Sequence, residues 1–219
     1  DEDITIDNVL GQRYIAAGAG GKRITVNGTP GNALGAYMDG CRVEVCGNAQ
    51  DATGDTMNSG TIVIRGDCGD TAGYAMRGGR IFIRGNTGWR TGIHMKEYGS
   101  AVPCIVVGGR AGAYLGEYQA GGRIVVLGIG CEDGPCVGDF VSTGMHGGRI
   151  YVRSRFVPDG LPPQVTARDV TDKSELAPLV REYCSYFGGD ADALLADDYY
   201  VLEPSTACIY KTLYVNRPM

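Results

Sequence analysis

The sequence predicts an all-β fold, a parallel β-helix solenoid of about seven coils with a C-terminal helical appendage. Three observations carry this prediction. Met38, Met57, Met76 and Met95 stand at a constant spacing of 19 residues. A short β-branched segment begins five residues after each of the first three, and glycines recur in register around them. Periodicity near 20 residues marks units that cannot bury an apolar face alone and must stack on their neighbours.

The strands come first in the argument. Val43-Glu44-Val45, Ile62-Val63-Ile64 and Ile81-Phe82-Ile83 follow the methionines. Gln119 and Met145 take the methionine place ahead of Ile124-Val125-Val126 and Ile150-Tyr151-Val152. Ile4-Thr5-Ile6, Ile24-Thr25-Val26 and Ile105-Val106-Val107 complete eight passes. Such segments suit a pleated surface buried on one face and are too short for a helical one. With two or three short strands per coil and ~4.8 Å between coils, the prism stands about 34 Å tall and the methionines form an inward ladder of adaptable filler.

The glycines supply the corners. Each strand runs into Gly28, Gly47, Gly66, Gly85, Gly108 or Gly128, where an inward side chain would collide or a positive φ is needed. A second pair at a spacing of four follows, as in Gly69 and Gly73 or Gly88 and Gly92, with Gln50 and Ser142 as departures. Lys96 to Pro103 and Ile129 to Val137 break the period and read as loops leaving the prism, the first places to expect partner contacts.

Beyond Arg155 the period stops, which divides the chain into a repeat domain over 1–155 and a linker, amphipathic helix and tail over 156–219. Pro158, Pro162 and Pro163 mark the linker. Ser174 reads as the N-cap of a helix with Leu176, Leu179, Val180, Tyr183 and Phe187 on one side, ended by Gly188 and Gly189. A shorter helix is expected over Asp190 to Ala196 and an extended stretch over Tyr199 to Leu202. The longer helix serves either to cap the open end of the solenoid or to dock on another subunit.

Composition narrows the function. A net charge of -5 with no basic tail argues against nucleic acid as a main partner, and the acidic start Asp1-Glu2-Asp3 lacks a signal-peptide pattern, so a cytoplasmic location is expected. Cys41 and Cys46 bracket one strand, about 16 Å apart and beyond bridging reach. Cys68, Cys104, Cys184 and Cys208 show no cluster spacing. Cys131 and Cys136 share one inserted loop and could pair, or hold a metal with His146; free thiols are the plainer reading.

Four sets of residues bear on chemistry. Asp51 and Asp70 share a column of neighbouring coils, which suits turn capping; in a cleft, carboxylates ~5 Å apart could instead do acid-base work as a free-standing β-helix hydrolase or lyase. His94 and His146 fall in different columns, and neither has a serine or cysteine at a nucleophile spacing. Gly18-Ala19-Gly20-Gly21-Lys22 leads into a strand and not into a helix N-terminus, which argues against a phosphate cradle. Arg23, Arg42, Arg80, Arg123 and Arg149 form a row ahead of the strands, interrupted by Thr61. Stacked like charges require acidic neighbours, from Glu44 or other local groups or from an acidic partner surface.

The repeated G-x-x-G-x-x-x-G, as in Gly66-Asp67-Cys68-Gly69-Asp70-Thr71-Ala72-Gly73, resembles the GXGXG domain that ends the large subunit of glutamate synthase. The runs Gly92 to Tyr98 and Thr143 to Gly148 are most similar to the stand-alone version of that domain, a separate subunit of archaeal-type glutamate synthases. The resemblance spans roughly 4–153. It implies a right-handed parallel β-helix that holds no catalytic residue, cofactor or metal and acts as a scaffold subunit. The implied partners are a glutaminase subunit and an FMN and iron-sulfur synthase subunit that makes glutamate from 2-oxoglutarate. The C subunit of formylmethanofuran dehydrogenase and subunits of related amidotransferase complexes share the repeat and remain an alternative.

Overall fold

The computed structural model describes residues 2–131 and 133–205. Its strands are β1 (Glu2–Leu10), β2 (Lys22–Thr29), β3 (Cys41–Val45), β4 (Gly60–Ile64), β5 (Arg80–Ile83), β6 (Cys104–Val107), β7 (Ala120–Val126) and β8 (Gly147–Val152). These are followed by β9 (Val165–Asp169), α1 (Leu176–Phe187), α2 (Ala191–Ala196) and β10 (Tyr200–Pro204). All ten strands form one sheet in the order β1-β2-β3-β4-β5-β6-β7-β8-β10-β9. β1 to β8 run parallel, one per coil, giving a β-solenoid of about seven turns.

The register is the one the period dictates. Ile4, Ile24, Val43, Ile62, Ile81, Ile105, Ile124 and Ile150 pair successively. That column and the one through Val26, Val45, Ile64, Ile83, Val107, Val126 and Val152 line the interior. Met38, Met57, Met76 and Met95 are wholly buried in the same core, and Gln119 and Met145 continue their places at 0% and 1% exposure.

Each coil holds less strand than the period suggests. Besides its ladder strand, the repeat contributes one bridge residue, in the parallel series Ala49, Cys68, Thr87, Ala111 and Val137. The rest of the coil is turn. Left-handed backbone recurs there at alternate residues, for instance Ala52 (φ 56°), Gly54 (φ 72°) and Thr56 (φ 52°), and alternating φ signs are incompatible with a pleated strand.

The appendage joins the repeat sheet. β10 pairs antiparallel with β8, Tyr200 opposite Val152 and Leu202 opposite Ile150, and β9 pairs antiparallel with β10. Tyr200 and Leu202 thereby enter the interior core, so two strands close this end. The helix expected either to cap that end or to dock on another subunit lies instead along the flank of the ladder. Its Leu176, Leu179, Val180 and Tyr183 pack with Phe82, Val106, Val125 and Tyr151, the outward residues of β5 to β8. Burying each large apolar side chain there is worth about 1.5–3 kcal/mol.

The helix also starts later than the sequence suggests. Its N-cap position is Glu175, while the Ser174 hydroxyl donates to Asp172 Oδ2 at 3.0 Å. Glu175 is drawn away from capping by cations on the ladder, described below. The short helix forms as expected and is capped by Asp190, whose Oδ1 accepts from the amides of Asp192 at 2.9 Å and Ala193 at 3.0 Å.

Candidate docking faces of the solenoid

The row of arginines finds its counter-ions mostly within the chain. Arg123 Nε donates to Glu175 Oε2 at 2.9 Å, and Arg149 reaches the same oxygen at 2.7 Å. Arg80 pairs with Glu182, and Arg42 donates to the Tyr186 hydroxyl at 3.3 Å while its guanidinium lies 4.9 Å from that ring's centre. Arg23 pairs with Asp3 at 3.8 Å, and Glu44 bonds Arg65 at 2.7 Å. Helix pitch explains the match. Seven residues from Glu175 to Glu182 advance about 10.5 Å, close to the ~9.6 Å of two strand spacings between β7 and β5. The hydrogen bond from Arg123, above all, holds the Glu175 carboxyl down at about 2, with Arg149 and Tyr151 adding to the effect. The local-counterion reading of the ridge therefore holds, with α1 as its main source. The acidic surface that the ridge could have met on a partner is largely supplied by this helix.

Asp51 and Asp70 are coil-to-coil caps. Asp51 Oδ1 accepts from the Asp70 amide at 3.0 Å, and Asp70 Oδ1 from the Trp89 amide at 2.8 Å. A second ladder runs three residues earlier. Asn48 Oδ1 accepts from the Asp67 amide at 2.8 Å, Asp67 Oδ1 from the Asn86 amide at 2.7 Å, and Asn86 Oδ1 from the Arg110 amide at 2.8 Å. The glycine motif makes room for both. A Cβ at Gly66 would strike Asn48 Oδ1, and one at Gly69 would strike Asp51 Oδ1. In Gly66-Asp67-Cys68-Gly69-Asp70, each glycine clears the carboxylate or amide of the coil before, and the following residue offers its own to the coil after. The corner glycines thus serve close approach more than backbone angle: of the six, only Gly28 and Gly128 have positive φ. This geometry engages both carboxylates in stacking and does not set them facing each other across a cleft. The Asn48, Asp67, Asn86 column was missed, although its constant spacing was visible.

The turn wall is the open side of the molecule. Its left-handed positions repeat as Ala33, Gly35, Tyr37, then Thr71, Gly73, Ala75, then Arg90, Gly92, His94, then Tyr114, Gly116, Tyr118. Their amides bond alternately to the coils on either side. Tyr37 N donates forward to Asp55 O at 2.8 Å, and Gly35 N back to Ile15 O at 2.8 Å. The residues between turn inward, with Leu34, Thr53, Ala72, Thr91 and Leu115 wholly buried. A non-glycine residue in this conformation costs about 1–2 kcal/mol, tolerated here because the hydrogen bonds of two coils enforce it.

Several of these strained positions carry large rings facing solvent. His94 stacks on Tyr118 with centroids 5.2 Å apart and planes 10° apart, and meets Tyr74 edge-on at 5.9 Å. Tyr114 stacks on Phe140 at 5.0 Å, with the Arg90 guanidinium 4.7 Å over the Tyr114 ring and bonded to Glu117 at 2.9 Å. Tyr37, Trp89 and Phe140 are each more than half exposed, at 58%, 55% and 62%. Rings and an arginine on a rigid exposed wall are the composition of protein interfaces. The aromatic wall is faint in the sequence because its column mixes residue types, Tyr37, Thr56, Ala75, His94 and Tyr118.

The remaining candidates are dispersed. His146 Nδ1 lies 3.1 Å from Gly144 O, in a different column from His94. Among the described residues no three His, Cys, Asp or Glu side chains converge as metal ligands, so Cys131, Cys136 and His146 do not form a centre. The described cysteines are free thiols; Cys208 lies outside the described residues. Gly21 leads directly into β2 at Lys22, as the strand reading requires. The first insertion leaves the wall as a surface loop, with Tyr98 and Ala101 bridging at its tip, whereas Cys131, Cys136 and Val137 of the second are buried in the core. No helix among the described residues is long and apolar enough to cross a membrane.

Comparison with known proteins extends the resemblance. The sequence pattern of the GXGXG motif family matches residues 4–207, beyond the repeat and through β9, α1, α2 and β10. The chain is also similar to the uncharacterized protein MJ1350 of Methanocaldococcus jannaschii, with 47% identity over 191 residues, covering 84% of this chain and 73% of that protein.

Proposed function

This chain belongs to the GXGXG motif family, and on that premise we propose that it is a non-catalytic scaffold subunit of a glutamate synthase complex in the cytoplasm. It supports glutamine-dependent glutamate synthesis from 2-oxoglutarate by holding a glutaminase subunit beside a synthase subunit. The synthase partner carries the FMN and the iron-sulfur cluster, and this chain supplies rigid surface. One observation carries the reading. The Asx side chains of the repeat are engaged in stacking and the row of arginines largely in holding α1, whereas the aromatic turn wall of Tyr37, Trp89, Tyr118 and Phe140 is left facing outward.

Reconstitution tests this. The chain alone should show no turnover. Combined with its co-purifying glutaminase and flavoprotein subunits, it should be required for glutamine-dependent glutamate formation, and charge placed on the turn wall should abolish assembly. Full activity and assembly of the other subunits without this chain would overturn the reading. Co-purification with molybdenum or tungsten enzyme subunits would transfer it to a formylmethanofuran dehydrogenase type of complex.

A further inference from the structure

Cys131 and Cys136 lie where the second inserted loop meets the core, 9% and 2% exposed. Cys68 is fully enclosed and pushed up to about 12 by burial, and burial likewise raises Cys41 and Cys104. Cys131 and Cys136 instead meet around Gly128. The Cys131 amide donates to Gly128 O at 3.0 Å, and a Cβ on Gly128 would lie 3.0 Å from Cys136 Cβ and 3.1 Å from its Sγ. The Gly134 amide donates to Cys131 O at 3.3 Å. Burial first, then the charge of Cys131, pushes the Cys136 thiol up to about 11, which agrees with two neighbouring sulfurs.

The surroundings of Cys131 suit attack on an oxidant. Arg110 Nε donates to its Sγ at 2.9 Å. The residue also lines an open cleft of about 260 Å³ with Arg153, Ser154, Arg155 and Phe156. Asp197 and Asp198 of the same cleft pair with Arg153 and Arg155, so the cation that acts on the Cys131 sulfur is Arg110. A thiol beside an arginine at the edge of a cleft, with a second thiol to resolve the first product, has the surroundings of a reactive cysteine.

We propose that Cys131 and Cys136 are a peroxide-oxidised thiol pair, with Cys131 attacking and Cys136 resolving. The Cys131 thiolate attacks one oxygen of hydrogen peroxide, forming an S–O bond as the O–O bond breaks. Hydroxide leaves beside the Arg110 guanidinium and takes up a proton to become water. The Cys136 sulfur then displaces the new hydroxyl from Cys131, an S–S bond replaces the S–O bond, and the hydroxyl departs as water with the Cys136 proton. Two thiols lose two electrons and two protons, and one peroxide is reduced to two waters. The disulfide ties Cys131 to Cys136 and turns the sulfur to which Arg110 donates into a weaker, uncharged acceptor.

The test treats the purified full chain with hydrogen peroxide, alkylates the remaining thiols, and maps the peptides by mass spectrometry. A disulfide between Cys131 and Cys136, forming about tenfold or more faster than the exposed Cys46 is oxidised, is the expected result. Cys136→Ser should trap sulfenic acid on Cys131 as a dimedone adduct, and Arg110→Gln should slow the wild-type disulfide several-fold. Oxidation of Cys131 no faster than that of Cys46, or dimedone capture at Cys131 in the wild-type chain without the disulfide, would overturn the proposal. Because the rate comparison uses the unmodified chain, it stands even where a variant fails to fold.

Discussion

The two walls of each coil are built on opposite principles. On the strand wall the backbone is relaxed, the outward residues Phe82, Val106, Val125 and Tyr151 are apolar, and α1 covers them within the same chain. On the turn wall the backbone is held left-handed at alternate residues, the outward residues include Tyr37, Trp89, Tyr118 and Phe140, and they face solvent. The difference separates a wall that stabilises the fold from one left exposed. Large rings are costly on strained backbone, and on the turn wall they bury little in return.

Breaking the strand wall should have the largest consequence. Leu179→Asp places a charge where α1 meets Val106 and Val125, and should cost about 3–5 kcal/mol in urea unfolding. The stacking between coils comes next. Replacing Asp51 and Asp70 together by Ala removes two amide caps and should cost about 2 kcal/mol. Replacing both by Asn preserves the accepting oxygens, so stability and the activity of an assembled complex should stay near wild type. Loss of activity with assembly intact would instead favour acid-base chemistry at these residues.

Acid should loosen the clasp between α1 and the arginines. The Glu175 carboxyl is held at about 2 in the folded chain against an ordinary 4.5, so its contribution is complete above 4.5 and is lost as pH falls towards 2. Because the carboxylate is partly exposed, the contribution should be about 1 kcal/mol or less. A Glu175→Gln variant should lack this step in stability measured across that window.

Ser142 sharpens the comparison from the other side. It takes a left-handed position, φ 61°, that is glycine at Gly35, Gly54, Gly73, Gly92 and Gly116, and its buried hydroxyl has no hydrogen-bond partner among the described residues. Ser142→Gly should therefore stabilise by about 1 kcal/mol, read as a higher urea midpoint. Tyr118→Asp should move stability least, within about 0.5 kcal/mol, while abolishing subunit assembly in size-exclusion chromatography.

Strand register was legible because one residue type at one spacing, from Met38 to Met95, fixes both the period and the inward face. The covered strand wall was half legible. Val63, Phe82, Val106 and Val125 are apolar at the middle position of their strands, which signals burial on both faces, and the alternation of Thr25 and Glu44 in earlier copies masked it. The clasp was harder to read because it joins Arg80 to Glu182 across 102 positions, and no local pattern reports such a contact. Left-handed turns at tyrosine, histidine and arginine defy propensity, since neighbouring coils impose them through hydrogen bonds absent from the isolated segment. The closing strand was read as extended at Tyr199 to Leu202, but its antiparallel partnership with β8 depends on the whole stack being formed.

That reversal at β10 gives the stack a direction of growth. A duplicated unit of nineteen residues within the regular stretch from Gly47 to Gly85 could slide in like another stair, because its neighbours offer the same parallel edge above and below. After Val152 the next rung runs the other way, so a further copy would have no matching edge to join. Lengthening over evolutionary time is thereby steered to the middle of the staircase, and the landing at its C-terminal end stays fixed.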